Sequence, residues 1–258
     1  MVNKVLWTVT GSANGLLAHA TRIGVGAVCV RTDNAWLAGA IPEFHQHGLK
    51  VYGWRWPGID PQTHLPDYYA LDQAHFVANT LVPAGLDGYI ADIESDGPHS
   101  SNPDWNNKSL SGLADQFSRT IATAGKAAKP GFLFGLTSGF DYPTAFPDIP
   151  WSTFLAYADA IFPQIYWRGD GGQAQAGGTP AIAYQRTCES WNSLGPQKMV
   201  PIIGEIKYIS PDSVRDFGQI MMANQLEEIH YYTDASGLSD AMYDAMHDPC
   251  GAAVLPDV

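Results

Sequence analysis

Two carboxylates stand one residue apart at the end of an apolar run. The run is 85–93, and the acids are Asp92 and Glu94. Side chains alternate along a β-strand, so both acids are expected to point to the same face. A loop opens at Ser95, and the carboxyl ends of parallel strands are where barrel and open α/β enzymes place catalytic groups. A single acid would be read as a helix cap or a solvated strand end, whereas the pair favours catalysis.

Paired carboxylates with aromatic neighbours fit the hydrolysis of glycosidic bonds. One carboxyl group protonates the leaving oxygen, and a second group stabilises or traps the oxocarbenium-like carbon. Glu94, nearest the loop, is the expected proton donor. Asp92, one pleat deeper, is expected to stay ionised, because like charges in proximity favour protonation of only one of them. The spacing leaves both retention and inversion of configuration open.

Short apolar strands alternate with longer helical segments along the whole chain. This pattern predicts parallel βαβ units. Eight units in 258 residues predict a single-domain (β/α)₈ TIM barrel over residues 1–258. An open doubly wound sheet is the alternative, disfavoured because no glycine-rich phosphate loop follows the first strand. The predicted strands are 5–10, 26–31, 49–56, the run that ends at Asp92 and Glu94, 131–137, 160–167, 199–206 and 228–233.

In such a barrel the strand ends bring an acidic and aromatic set of side chains to one mouth. Flat aromatic rings suit sugar rings, and polar groups suit sugar hydroxyls. We predict that seven of these residues contact substrate: Asp33, Trp54, Trp56, Gln164, Trp167, Glu205 and Tyr231.

Several of these side chains have a plainer interpretation. The tryptophans Trp54 and Trp56 are alternate strand residues that suit core packing as well as a sugar platform. Glu205 is equally placed for an ion pair with Lys207, which we favour over a catalytic role. Trp167 precedes a glycine-rich loop and is expected to face ligand. Of Tyr231 and its neighbour in the chain, only one can face the mouth.

The strand-four residues resemble the signature of family 18 glycoside hydrolases, Asp-Gly-x-Asp-x-Asp-x-Glu. This chain reads Asp87-Gly88-x-x-x-Asp92-x-Glu94, and Gln164-x-Tyr166 resembles the Gln/Met-x-Tyr of strand six. The resemblance implies that Glu94 is the acid/base, that Asp92 orients a substrate N-acetyl group and that Tyr166 donates a hydrogen bond to it. The acetamido oxygen of the substrate is then the nucleophile.

The chain departs from that signature and partly resembles a second family. Ile90 stands where family 18 has its middle Asp. The Asp-x-Glu pair also resembles the strand-four motif of family 25 lysozyme-like muramidases. Those carry a further Asp on strand one, where this chain offers only Thr8 and Thr10. Asp33, at the end of strand two, is the candidate replacement.

Composition limits the partners of the chain. The formal net charge is −12, and the 14 Lys and Arg residues are scattered. We therefore expect no nucleic-acid partner, since no basic stripe faces a phosphate backbone. No apolar run is long enough for a membrane span, and the chain starts directly in a strand without a signal peptide. The compartment stays open, with cytoplasmic synthesis and action on a cell wall as one possibility.

Metal and cofactor chemistry are not expected. No His/Cys cluster has metal-ligand spacing, no Gly-x-Ser-x-Gly elbow is present, and three cysteines give no disulfide framework. Cys188 and Cys250 could form a disulfide in an oxidising compartment, and the sequence leaves this open.

The sequence therefore predicts a monomeric glycoside hydrolase acting on an N-acetylated polysaccharide, peptidoglycan or chitin-like. Two alternatives stay open: a carbohydrate-binding barrel without turnover, and a hydrolase of another glycan.

Overall fold

The fold is a closed barrel of eight parallel strands in a computed structural model that describes residues 2–62, 68–95, 104–234 and 237–251. Each strand pairs with the next in the chain, and β1 pairs with β8. The (β/α)₈ barrel prediction is confirmed. The strands are β1 (Asn3–Thr8), β2 (Ala27–Arg31), β3 (Lys50–Arg55), β4 (Gly88–Asp92), β5 (Leu133–Gly139), β6 (Ala160–Tyr166), β7 (Ile202–Gly204) and β8 (Glu228–Tyr231).

Helices follow the strands and cover the outside of the barrel. Ser or Thr side chains cap several of them by accepting a hydrogen bond from a first-turn N–H, as Ser12 does for α1 and Thr179 for α7. No helix in the described ranges is long and apolar enough to cross a membrane. The helices are α1 (Ala13–Ile23), α2 (Leu37–Gln46), α3 (Ala70–Phe76), α4 (Ser111–Ala128), α5 (Tyr142–Ala145), α6 (Trp151–Leu155), α7 (Pro180–Trp191), α8 (Pro211–Ala223) and α9 (Asp240–His247).

Strand β7 is shorter than the predicted span of 199–206. Pro201 has no N–H to give to the strand ladder, although its carbonyl accepts from His230 N–H at 2.9 Å. At the other end the chain turns immediately, because Tyr208 N–H donates to the Glu205 carbonyl at 2.8 Å. Glu205 is therefore the first residue beyond the strand.

Alternation along the strands builds two apolar layers. The inner layer fills the barrel with large side chains, including Trp7 and Trp54, whose ring centroids lie 5.4 Å apart. His230 is also fully buried there: its Nδ1 accepts from Trp7 Nε1 at 2.9 Å, so Nε2 carries the proton and donates to Glu228 Oε1 at 2.9 Å. The outer layer packs against the helices.

Asp87, which opens the family-like motif, lies at the amino end of β4, away from the mouth. Its carboxylate accepts from Val51 N–H at 2.8 Å, lies 2.8 Å from His45 Nε2 and pairs with Lys129. Burial opposes ionisation, but the hydrogen bonds from Lys129, Val51 and His45 outweigh it and hold the pKa of Asp87 below its ordinary value. This residue ties the strands β3 and β4 to the end of α4.

We expect Asp87→Ala to lower the free energy of unfolding by roughly 2–4 kcal/mol. The change leaves the buried Val51 N–H without its acceptor and removes the ion pair with Lys129. The part of this stabilisation that depends on the charge of Asp87 is fully present above the pKa of an unfolded Asp, about 3.9. It is lost as the pH falls through the lower pKa that Asp87 has in the folded state. Urea unfolding at several pH values measures both. The exposed Asp244→Ala on α9 is the control, and an equal effect of the two changes would contradict this role.

Candidate active site

A cavity of about 230 Å³ opens at the carboxyl ends of the strands. It brings together Asp92 and Glu94 with most of the predicted substrate contacts. Three carboxylates and four aromatic rings share this one space. Its lining residues are Trp54, Trp56, Asp92, Glu94, Gln164, Tyr166, Glu205 and Tyr232.

The two acids of β4 differ in exposure. Asp92 is the last residue of the strand, is only 5 % exposed and accepts a hydrogen bond from Gln164 Nε2 at 2.9 Å. Glu94 lies one pleat further out and is half-buried. Its carbonyl accepts from Trp105 N–H at 3.3 Å, and the Trp105 indole donates to the Pro57 carbonyl at 2.7 Å. The backbone that carries the outer acid is thereby tied to the neighbouring loop.

Two stacked phenols stand beside the acids. The Tyr166 and Tyr232 ring centroids lie 5.6 Å apart with 21° between the planes. Burial raises the pKa of both, and the negative charges of Asp92, Glu205 and Glu94 raise it further. Both hydroxyls therefore stay protonated at neutral pH, so each has a proton to donate to a ligand oxygen.

The tryptophans of β3 have different positions in the cavity. Trp54 is 1 % exposed, packs on Trp7, and donates its Nε1–H to the Thr8 carbonyl at 3.1 Å. It is the floor of the cavity and part of the core. Trp56 is half-buried, 5.7 Å from the Trp54 ring and 5.4 Å from the Arg31 guanidinium. Trp56 is the better placed of the two to meet a sugar.

Asp33 and Glu205 have distinct settings. Asp33 accepts from Arg31 Nε at 2.7 Å and lies 3.2 Å from Arg55 Nη1, and it is not among the residues lining the cavity. Glu205 does line it. Lys207, the ion-pair partner expected for Glu205, lines a separate cavity, with its Nζ 5.4 Å from the Tyr208 ring centroid.

The predictions for Trp167 and Tyr231 are wrong. Trp167 is 1 % exposed and stacks on Phe217 of α8 at 5.8 Å. Tyr231 is fully buried in the outer layer, where its hydroxyl donates to the Met246 carbonyl at 3.0 Å. Both residues point outward toward helices, because each lies one position away from an inward-facing neighbour.

Tyr232 is the cavity residue that the sequence reasoning missed. His230 faces the barrel interior, 4.9 Å from the Phe162 ring, and the period of two then places Tyr232 on the same side. The sequence indicates that adjacent residues of this strand face opposite sides, but it does not indicate which of the two tyrosines faces the interior.

In the described part of the chain, the acids that the two family signatures add have no counterpart in the barrel interior. Ile90 is fully buried in the inner layer. Trp7 on β1 and Val9 just beyond it pack in that layer, while Thr8 is buried with its hydroxyl donating to the Thr10 carbonyl at 2.8 Å.

Comparisons with known proteins identify the fold. No protein-family model and no curated protein matches the chain. Among solved structures, it is similar to the Bacillus cereus spore cortex-lytic enzyme SleL, with 11% identity and a TM-score of 0.62 over 96% of this chain and 74% of that one. It is also similar to active domain 2 of a thermostable chitinase from Pyrococcus furiosus, crystallised with chito-oligosaccharides, with 10% identity and a TM-score of 0.59 over 96% and 94%.

A third solved structure gives the same result. The chitinase ICChI from Ipomoea carnea has 12% identity and a TM-score of 0.56, over 96% of this chain and 98% of that one. At such low identity the similarity establishes a shared architecture, while function depends on the residues of the site. The chain thus has a (β/α)₈ barrel fold that it shares with chitinases and a cortex-lytic enzyme.

The opposite orientations of two adjacent tyrosines are testable. We expect Tyr231→Phe to lower the free energy of unfolding by about 1–2 kcal/mol, because the Met246 carbonyl loses its buried donor. Tyr232→Phe should change it by less than about 0.5 kcal/mol, since that ring lines the cavity. Urea denaturation of the two variants side by side measures the difference. A larger loss for Tyr232→Phe would reverse the assignment.

Proposed function

We propose that this protein is a glycoside hydrolase that cleaves glycosidic bonds in an N-acetylated polysaccharide, chitin-like or peptidoglycan. The observation that carries the proposal is the cavity in which Glu94 stands at the rim, Asp92 lies beneath it, and protonated tyrosines adjoin both. An acidic site of this kind suits a reaction whose transition state gains positive charge on a sugar carbon. The named activities of the chitinases and the cortex-lytic enzyme with this fold support the same class.

Each group has a distinct task in the proposed reaction. Glu94 donates its proton to the leaving glycosidic oxygen, for which its half-buried position at the rim leaves room. Asp92, held by the Gln164 amide, supplies fixed negative charge and orients the substrate N-acetyl group. Tyr166 donates a hydrogen bond to that group. Trp56 offers a flat ring beside the site for sugar stacking.

A carbohydrate-binding barrel without turnover is the second candidate. It is favoured by the apolar residues Ile90, Trp7 and Val9, which occupy the inner layer where the related signatures would add acids. This candidate predicts saturable binding of sugar that Trp56→Ala weakens, with no bond cleavage at any pH.

The decisive variant is Glu94→Gln, which keeps the shape of the side chain but removes its proton. We expect the release of reducing ends from peptidoglycan or chitin oligomers to fall by at least about a hundredfold, as loss of a general acid does. The exposed Glu189→Gln on α7 is the matched control and should retain parental activity. Thermal unfolding of both variants shows whether the fold is intact.

The alternatives give different results in the same assay. A parent that binds one of these glycans without cleaving it supports the binding barrel. A parent that cleaves only glycans without N-acetyl groups contradicts the substrate class. Unchanged activity in Glu94→Gln contradicts the assignment of the acid.

The role of Tyr166 is separable from that of the acid. Tyr166→Phe removes one hydrogen-bond donor from the site, so we expect kcat on an N-acetylated substrate to fall roughly tenfold to a thousandfold. Steady-state kinetics measure kcat and KM separately. Tyr157→Phe is the control, because it removes a hydroxyl that donates to Asp115 and neither residue lines the cavity. An equal loss in both variants would make the effect structural.

A further inference from the structure

A third carboxylate in the cavity has so far no task in the reaction. Glu205 directly follows β7 and lines the same space as Asp92 and Glu94. It belongs to a different strand from those two acids. Its place around the barrel therefore decides from which side it can reach a bound sugar.

Strand order sets Glu205 across the mouth from Glu94. The closed barrel runs β4, β5, β6, β7, so two strands separate the strand that carries Glu94 from the one that leads into Glu205. In a ring of eight strands this spacing is more than a third of the circumference. Asp92 and Glu94, by contrast, project from one strand and approach a ligand from one side. Glu94 and Glu205 therefore approach a ligand in the cavity from different sides.

The backbone around Glu205 is held from both neighbouring strands. Glu205 N–H donates to the Arg168 carbonyl at 3.2 Å, beyond β6. Tyr232, beyond β8, donates its N–H to the Ile203 carbonyl at 2.8 Å and accepts from Ile206 N–H at 2.9 Å. Gly204 permits this approach, because a Cβ there would lie 2.5 Å from the Tyr232 carbonyl oxygen. The position is fixed before any substrate arrives, as a reacting group requires.

The tyrosine pair shows that the three acids face one space. Tyr166 and Tyr232 stand beside the cavity, and the negative charges of Asp92, Glu205 and Glu94 all act on both hydroxyls. Asp92 already accepts the Gln164 amide and is nearly enclosed. Of the two acids on β4 and the one after β7, Glu205 is the carboxylate opposite the proton donor.

We propose that Glu205 is the catalytic nucleophile, with Glu94 as its acid/base partner. This rests on the proposed glycosidase function and changes its mechanism: the enzyme supplies the nucleophile, and the acetamido group of the substrate does not. A carboxylate that reaches the sugar from the side opposite the acid/base is the arrangement that direct attack on the anomeric carbon requires, and the configuration of the product reports whether it occurs.

The steps balance with water as the only co-reactant. A Glu205 carboxylate oxygen bonds to the anomeric carbon while the bond to the leaving oxygen breaks, and the proton of Glu94 goes to that oxygen. Water then attacks the same carbon, its proton passes to Glu94, and the ester bond to Glu205 breaks. Two displacements return the original anomeric configuration, and the enzyme regains its starting state.

The test compares Glu205→Ala, Glu94→Ala and the exposed control Glu189→Ala on a dinitrophenyl β-glycoside of an N-acetylated chito-oligosaccharide, with and without sodium azide. We expect Glu205→Ala to lose at least about a thousandfold in kcat. Azide should restore turnover in it by attacking the anomeric carbon directly, which gives the α-glycosyl azide. Glu94→Ala should instead form the β-glycosyl azide, because azide there displaces Glu205 from the intermediate.

Proton NMR of the first product of the parent gives an independent readout, with retention expected. Inversion in the parent, less than about a tenfold loss in Glu205→Gln, or a folded Glu205→Ala that yields no α-azide would each overturn the nucleophile assignment. These results leave the glycosidase function standing if Glu94→Gln is inactive. A parent that cleaves no N-acetylated glycan overturns both proposals.

Discussion

Closure of the parallel sheet is the constraint on which the rest of this molecule depends. Once β1 pairs with β8, every strand residue must face either the enclosed interior or the helices, and adjacent residues face opposite ways. The interior is filled by large rings such as Trp7, Trp54 and Phe162, so it is a solid core and not a pore. Among the described residues, inward side chains meet solvent at the two ends of the barrel, and the polar groups of the candidate site collect at the carboxyl end.

The same constraint explains which parts of the site are predictable from sequence. Four of the cavity residues lie on or directly after β4 and β6, whose long apolar runs fix the alternation up to their ends; they are Asp92, Glu94, Gln164 and Tyr166. The sequence also predicts the eight-strand order, because the βα rhythm is regular. The fold and the cavity residues contributed by β4 and β6 can thus be predicted from the sequence alone.

The errors lie where the phase of the alternation is ambiguous. Trp167 and Tyr231 follow or end strands with mixed composition, and a shift of one residue reverses a side chain. Contacts between different strands are harder still to predict from sequence. The hydrogen bonds that hold the backbone around Glu205 join segments beyond β6, β7 and β8, which lie far apart in the chain. Asp87 shows the opposite case. It begins the family-like motif, yet its carboxylate binds Val51 N–H and Lys129 at the amino end of the barrel, and only Asp92 and Glu94 at the other end of the motif reach the mouth.

The crowding of three carboxylates at one mouth has a pharmacological consequence. Such a field disfavours phosphate or sulfate groups in the cavity and favours a cation of the size of a sugar ring. In the proposed reaction positive charge develops at the anomeric carbon, and a protonated ring nitrogen resembles that charge, so we expect basic iminosugars to match this mouth better than neutral sugar analogues do. Under the proposed function, ring-nitrogen inhibitors that bear an acetamido arm are the expected chemical probes for this barrel, and the phenol pair beside the acids would anchor that arm.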